Sequence, residues 1–323
     1  MKGFKMLKIK KILYTTDFSE CADQALQHAL FLAKKYKANL DILHATVFYG
    51  NYESLFSVDQ YPDWQTYFDS VEKSLDSMID KSLLPFDTQK INITKIQKRG
   101  TTPAHVILDH ILKNEVDLVV MGTHGRPHLE HFFMGSVAEK VVRSAPCPVL
   151  TLCGYEKSSI STINKILVPI DFSDHSKNAL LHAKHVASSY EAKIQLLHVI
   201  EESVHPSFYA AGETSVFKLM PKIDSISKQN LQKIFSEAGG PQVDVEFHIA
   251  EGRAANEIIN FAENQNSRMI VMPTHGLTGF QHFLLGSVAE KVVRMAKCPV
   301  LTVKAFGKSL VQSQNRDTTA MHN

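Results

Sequence analysis

Tryptophan occurs once and cysteine four times in 323 residues. Cys21, Cys147, Cys153 and Cys298 form no CxxC pair, and four thiols in so long a chain make no disulfide framework. That usage fits a reducing, cytoplasmic setting. Charge imbalance is missing too: the formal net charge is +2, so composition points to neither nucleic acid nor an anionic membrane. The sixteen histidines would make the chain strongly basic only at acid pH. No apolar run approaches the ~18 residues of a membrane span. The opening MKGFKMLKIKKILYTTDFSE is basic and then apolar, but its apolar part is short and "DFSE" follows, so it reads as a first β-strand rather than a leader. No GxGxxG follows a strand. The one echo of a P-loop, "FGKSL" at Phe306, has Thr302 where that loop needs glycine and opens no helix.

What the chain does contain, it contains twice. "KKILYTTDFSE" at Lys10 aligns with "NKILVPIDFSD" at Asn164. Asp17 then matches Asp171, His44 matches His198, Gly100 matches Gly252 and Gly135 matches Gly286, at a nearly constant separation. Such a long period is a domain duplication, not a short-repeat solenoid. The expected organisation is a first domain over 1–153, a Ser/Thr-rich linker over 154–163, a second domain over 164–305 and a disordered polar tail over 306–323.

Within each copy short strands alternate with helical stripes, which implies a parallel sheet with helices on both faces. "SECADQALQHALFLAKKY" places Ala22, Ala25, Leu26, Ala29, Leu30 and Ala33 on one helical face, with Ser19 as N-cap. "VDLVVMG" is almost wholly apolar, as suits a strand buried on both sides. In such sheets ligands bind at the carboxyl ends of the strands. Those ends carry Asp17, the His44-Ala45 turn and the loop from Gly122. Gly122, Gly125 and Gly135-Ser136 lead into a helix whose unpaired N–H groups suit a phosphate, and glycines admit close approach or positive φ. Ser136 can cap that helix and donate its hydroxyl, while Asp17 can accept from ribose hydroxyls. Together these pieces describe a nucleotide. The bland alternative makes Gly122 and Gly125 turn residues and Gly135 a plain cap.

G-x2-G-x9-G-[ST] after a buried strand, "DFS" after the first strand and a final "CPVL" resemble the universal stress protein family, here as a tandem member over about 6–153 and 161–305. The resemblance implies two tandem open five-stranded parallel sheets, Rossmann-like and akin to the adenine-nucleotide α-hydrolase fold. It implies ATP binding without a Walker A loop, with Mg²⁺ carried mainly by phosphates and water. In the first copy Gly122, Gly125, Gly135 and Ser136 would hold phosphates and Asp17 the ribose, with Thr16, Ala45 and Val137 bordering the ligand and His124 inside the loop. The second copy keeps Asp171, Val199, His275, Gly276, Gly286, Ser287 and Val288, but Pro273 replaces the first glycine. Proline has no N–H and a fixed φ, so this site is expected to be weakened, or spared if the remaining N–H groups suffice. The resemblance also implies pairing of "PVLTL" with "PVLTV", and possible homodimers.

Three functions stay open: a nucleotide-dependent regulatory module with unidentified protein clients, a slow ATPase or phosphotransferase, and an interaction scaffold with vestigial sites. The second needs a base and cations near the γ-phosphate, and only Arg126 stands near the loop. Histidines recurring in register (28/182, 44/198, 124/275, 131/282) are read as inheritance from the duplication, because no cluster with metal-ligand company emerges. Cys147 and Cys298 read as small buried residues, and Tyr61, Trp64 and Tyr67 as a cover over the cleft or an interface.

Overall fold

Alternation of short β-branched runs with amphipathic helices yields the expected architecture. The computed structural model describes residues 7–47, 64–123, 134–152, 160, 163–201, 215–276, 285–304 and 307–311, without the side chains of 64–69, 216 and 219. The first half runs β1 (Lys11–Thr15), α1 (Glu20–Tyr36), β2 (Asn39–Val47), α2 (Trp64–Leu83), β3 (Ile93–Gly100), α3 (Pro103–Lys113), β4 (Leu118–Gly122), α4 (Ser136–Ser144) and β5 (Val149–Leu152). The second half runs β6 (Lys165–Pro169), α5 (Asp174–Tyr190), β7 (Lys193–Ile200), α6 (Val216–Leu219), α7 (Ile223–Glu237), β8 (Val245–Glu251), α8 (Ala254–Asn264), β9 (Met269–Pro273), α9 (Ser287–Met295) and β10 (Val300–Val303). Ser19 caps α1 by accepting from the Ala22 N–H, and the predicted alanine and leucine stripe is buried. Ser173 caps α5 in the same way. Both helices end at a left-handed residue, Lys37 and Glu191.

Within each half all strand pairings are parallel, but the two five-stranded units are not separate sheets. They join into one ten-stranded sheet in the order β3-β2-β1-β4-β5-β10-β9-β6-β7-β8. The junction is antiparallel, with Leu301 opposite Leu150, so "PVLTL" does meet "PVLTV". The physical reason is edge satisfaction: each half leaves one buried apolar strand with an open ladder, and the other half completes it. Thr151 Oγ1 donates to the Val300 carbonyl at 3.2 Å and Thr302 Oγ1 to the Val149 carbonyl at 3.1 Å, an exchange related by the pseudo-two-fold. Above the junction the buried Lys304 amine donates to the carbonyls of Val142 and Arg143 at the end of α4, where a helix favours a cation. On the opposite face α1 meets α5: Tyr36 bonds Ser189, and Tyr190 lies 3.1 Å from His28 Nδ1.

Residues 307–311 correct the expectation of a free tail from 306 onward. Lys308 N–H donates to the Pro146 carbonyl, and the Leu310 carbonyl accepts from Lys8 N–H. Gly307 has φ +117°, and a Cβ there would collide with the Pro146 carbonyl. Leu310 N–H and Ser309 Oγ both reach His182 Nε2, at 3.1 and 3.2 Å, while His182 Nδ1 donates to the Asn178 carbonyl. Residues 307–311, which hold the "GKSL" of that stretch, are therefore a strap across the two halves. The linker residues 153–159 and 161–162, Tyr61, Arg126, His131, His282 and the tail from 312 lie outside the described residues, as do the side chains of Trp64 and Tyr67.

His182 must be neutral to accept from the strap, and burial pushes its imidazole down to about 4 from its ordinary 6.5. Between those values only the unfolded chain takes the proton, so stability is complete above pH 6.5 and falls as pH drops toward 4. This group should remove on the order of 3 kcal/mol across that window. His185, lowered by burial and by Lys184, contributes in the same direction. Urea unfolding of wild type and His182→Asn as a function of pH should show a flatter acid limb in the variant.

Candidate functional site

The chain runs from β1 outward through β2 to β3, then returns to place β4 on the other side of β1. Connections at such a reversal leave on opposite faces and open a crevice at the carboxyl ends of the strands. Here the crevice is a cleft of about 380 Å³, within the ~300–1,000 Å³ typical of small-molecule sites. Thr15 of β1 pairs with Leu43 of β2 and Met121 of β4; β1 and β4 end there or one residue on, while β2 runs on to Val47 beside β3.

Of the first-copy residues chosen from the sequence, Thr16, Asp17, Ala45, Gly122, Gly135, Ser136 and Val137 all line this one cleft. His124 and Gly125 lie outside the described residues. The cleft is lined by apolar residues, Leu43, Ala45, Pro103, Ile107 and Met121 among them, and by polar ones, including Asp17, Thr123 and Ser136. The sequence places the His44-Ala45 turn and the loop from Gly122 at the ligand end, and His44 and Thr123 line the cleft; it does not foresee Thr15, Leu43, Pro103, Ile107, Met121 and Ala138 as lining. A signal existed for two of them: Pro103 and Ile107 stand four apart on α3, hence on one face. Nothing local indicated which face turns toward the cleft.

Two roles differ from expectation. Gly135, not Ser136, is the N-cap of α4, and Ser136 is the first helical residue. A glycine cap brings no side-chain acceptor, so the N–H groups of the first turn stay available to a ligand, whereas α1, α3 and α5 are capped by Ser19, Thr102 and Ser173. Gly286 repeats the bare cap on α9. Nor do Gly122, Gly135, Gly276 or Gly286 adopt positive φ. Their need is space. A Cβ on Gly122 would stand 3.0 Å from the Ala22 nitrogen and the Cys21 carbonyl carbon, at the start of α1. One on Gly135 would stand 2.8 Å from the Thr123 carbonyl, which also accepts the Gly135 N–H.

The second copy keeps this frame. Thr274 N–H donates to the Val303 carbonyl as Thr123 N–H does to Leu152, and Gly286 N–H donates to the Thr274 carbonyl as Gly135 N–H does to Thr123. Pro273 closes β9 at the position where Gly122 closes β4 without altering these bonds. Gly276 lies on Asp171, where a Cβ would stand 2.5 Å from Oδ2, and His275 Nδ1 is 3.0 Å from Thr274 Oγ1. Val199 is paired in β7 with Ala250 of β8, and Ser287 and Val288 open α9. The wall chemistry has changed, though: Thr15, Thr16, Ala45 and Gly122 correspond to Pro169, Ile170, Val199 and Pro273, so two hydroxyls are lost and bulk is gained.

Neither Cys147 nor Cys298 lines the cleft. Cys147 is buried, which pushes its thiol up to about 12, and Cys298 is half-buried.

A doubly wound α/β sheet with a glycine-capped helix and an aspartate lining one cleft at the switch point is a Rossmann-like arrangement. The sequence profile of the universal stress protein family matches residues 8–152 and 162–304, and the chain belongs to that family. It is 37% identical over 140 residues to universal stress protein MJ0531 of Methanocaldococcus jannaschii, covering 43% of this chain and 81% of that protein. Universal stress protein Slr1230 of Synechocystis is 24% identical over 313 residues, covering 92% of this chain and all of that one. The fold matches a solved universal stress protein from Archaeoglobus fulgidus with a TM-score of 0.66 at 20% identity, over 93% of this chain and 98% of that one. Among the described residues no helix is long and apolar enough to cross a membrane.

Because Gly135 meets backbone at 2.8 Å and Gly286 only at 3.2 Å, Gly135→Ala should cost about 1–3 kcal/mol and Gly286→Ala distinctly less. Urea midpoints of the two variants test this order.

Proposed function

We propose that the first half binds ATP, and that the protein acts as a nucleotide-dependent regulatory module of the stress response in a cytoplasmic setting. The observation that carries this reading is the bare Gly135 cap of α4, which lines the same cleft as Asp17. The first-turn N–H groups and the helix dipole favour phosphate, Asp17 takes the ribose hydroxyls, and the apolar lining residues Leu43, Ala45, Pro103, Ile107 and Met121 take the adenine. The Asp17 carboxylate and the Ser136 hydroxyl are oxygen donors, which suit a hard cation such as the Mg²⁺ that accompanies ATP. Occupancy would change the surface shown to protein clients. The second half, with Pro169, Ile170, Val199 and Pro273 around an intact frame, binds more weakly and serves chiefly as a scaffold for the first.

Protein purified without added nucleotide, denatured and chromatographed should release at most about one ATP per chain. Asp17→Ala should weaken ATP binding by about tenfold or more in a calorimetric titration with Mg²⁺. Release of two nucleotides would make both halves working sites. Absence of any binding in the wild-type titration would leave the interaction-scaffold reading.

A further inference from the structure

The residue after each cleft aspartate is a phenylalanine in the left-handed region: Phe18 at φ 63° and Phe172 at φ 64°. An aromatic residue adopts that conformation only when its surroundings impose it. The same surroundings occur in both halves. His44, at the end of β2, has Nδ1 2.8 Å from the Thr16 carbonyl, and its ring centroid lies 4.9 Å from that of Phe18. His198, at the end of β7, has Nδ1 2.8 Å from the Ile170 carbonyl and its ring centroid 4.4 Å from that of Phe172. A carbonyl only accepts, so Nδ1 carries the proton and donates. Each histidine therefore grips the turn on both sides of the aspartate, by the backbone before it and by the side chain after it.

Inside the grip one carboxylate oxygen is already used. Asp17 Oδ1 accepts from Ser19 N–H at 3.1 Å and from Ser19 Oγ at 2.6 Å, and Thr16 Oγ1 accepts from Phe18 N–H at 3.0 Å. Asp171 Oδ1 accepts from Ser173 N–H and Oγ in the same way, at 3.0 and 2.6 Å. With Oδ1 of Asp17 so engaged, the rotation of that carboxylate is fixed, and Asp17 Oδ2 is the oxygen left for the cleft. His44 also lines the cleft, yet its bonds run to the turn.

We propose that His44 is a positioning residue for sugar recognition: it holds the strained Phe18 turn so that Asp17 presents Oδ2 to the ribose hydroxyls. This rests on the nucleotide reading above. It separates from simple packing because it predicts which part of the ligand loses its contact. A packing histidine would weaken all ligands alike; a positioning histidine removes only the contribution of the ribose hydroxyls.

The test compares ATP with 2′,3′-dideoxy-ATP by calorimetry on the full chain, with folding of each variant checked by urea unfolding. Wild type should prefer ATP by about tenfold or more. Asp17→Ala should abolish the preference. His44→Ala should reduce it to within about threefold while leaving dideoxy-ATP affinity little changed, and the double variant should resemble Asp17→Ala alone. His44→Asn, whose amide can donate where Nδ1 does, should recover part of the preference and serves if the alanine variant fails to fold. Equal loss of both ligands in His44→Ala, or an unchanged ATP preference, overturns the proposal while leaving the nucleotide reading in place. Failure of wild type to bind either ligand overturns both.

Discussion

The parallel pairing of β1 with β2 on one side and β4 on the other is the constraint from which the site follows. Thr15 is in register with both Leu43 and Met121, so Asp17, the last residues of β2 and the residues after Gly122 come to the same end of the sheet. A one-residue slip would turn Asp17 to the other face and bury the wrong side of each strand. Because successive strands are added on opposite sides of β1, the helices after β1 and β4 pack on different faces, and the crevice between them is unavoidable. Close packing then decides what may line it. Gly122 is small because the start of α1 lies against it, and Gly135 is small because the Thr123 carbonyl does.

The duplication separates frame from chemistry. Both halves retain the aspartate turn, the left-handed phenylalanine, the gripping histidine and the bare glycine cap. These features share a cause, since each is a backbone geometry that the strand ends require. The cleft wall has drifted instead, from Thr15, Thr16 and Ala45 to Pro169, Ile170 and Val199. Pro273 is tolerated because it closes a strand, where a fixed φ near −65° fits and the ladder beyond it restarts at Thr274.

The two halves depend on each other at β5 and β10. Each is a four-residue strand, fully buried, that would be an exposed apolar edge alone. Lys304 from the second half completes a helix end in the first, and the strap from Gly307 to Val311 returns across both. Burial lowers the Lys304 amine to about 8, the cost of placing a cation where carbonyls need a donor.

Much of this was written locally in the chain. The alternation of periods, the Ser19 cap, the alanine stripe of α1 and the repeat itself depend on short-range spacing, so the class of fold, the order of elements and seven residues of one cleft were legible before any coordinates. What spacing does not encode is which atoms meet across the sheet. That His44 grips the turn before Asp17, that the site glycines answer to close packing rather than to positive φ, that Ser136 follows the cap instead of forming it, and that residues 307–311 form a strap all depend on contacts between residues far apart in sequence. The sequence by itself determined the repeated α/β architecture and the chemical types at the strand ends, because periodicity and capping are local. Only the tertiary structure decided that the halves share one sheet and what each polar group at the cleft is bonded to, because edge pairing and side-chain contacts arise only when distant segments pack.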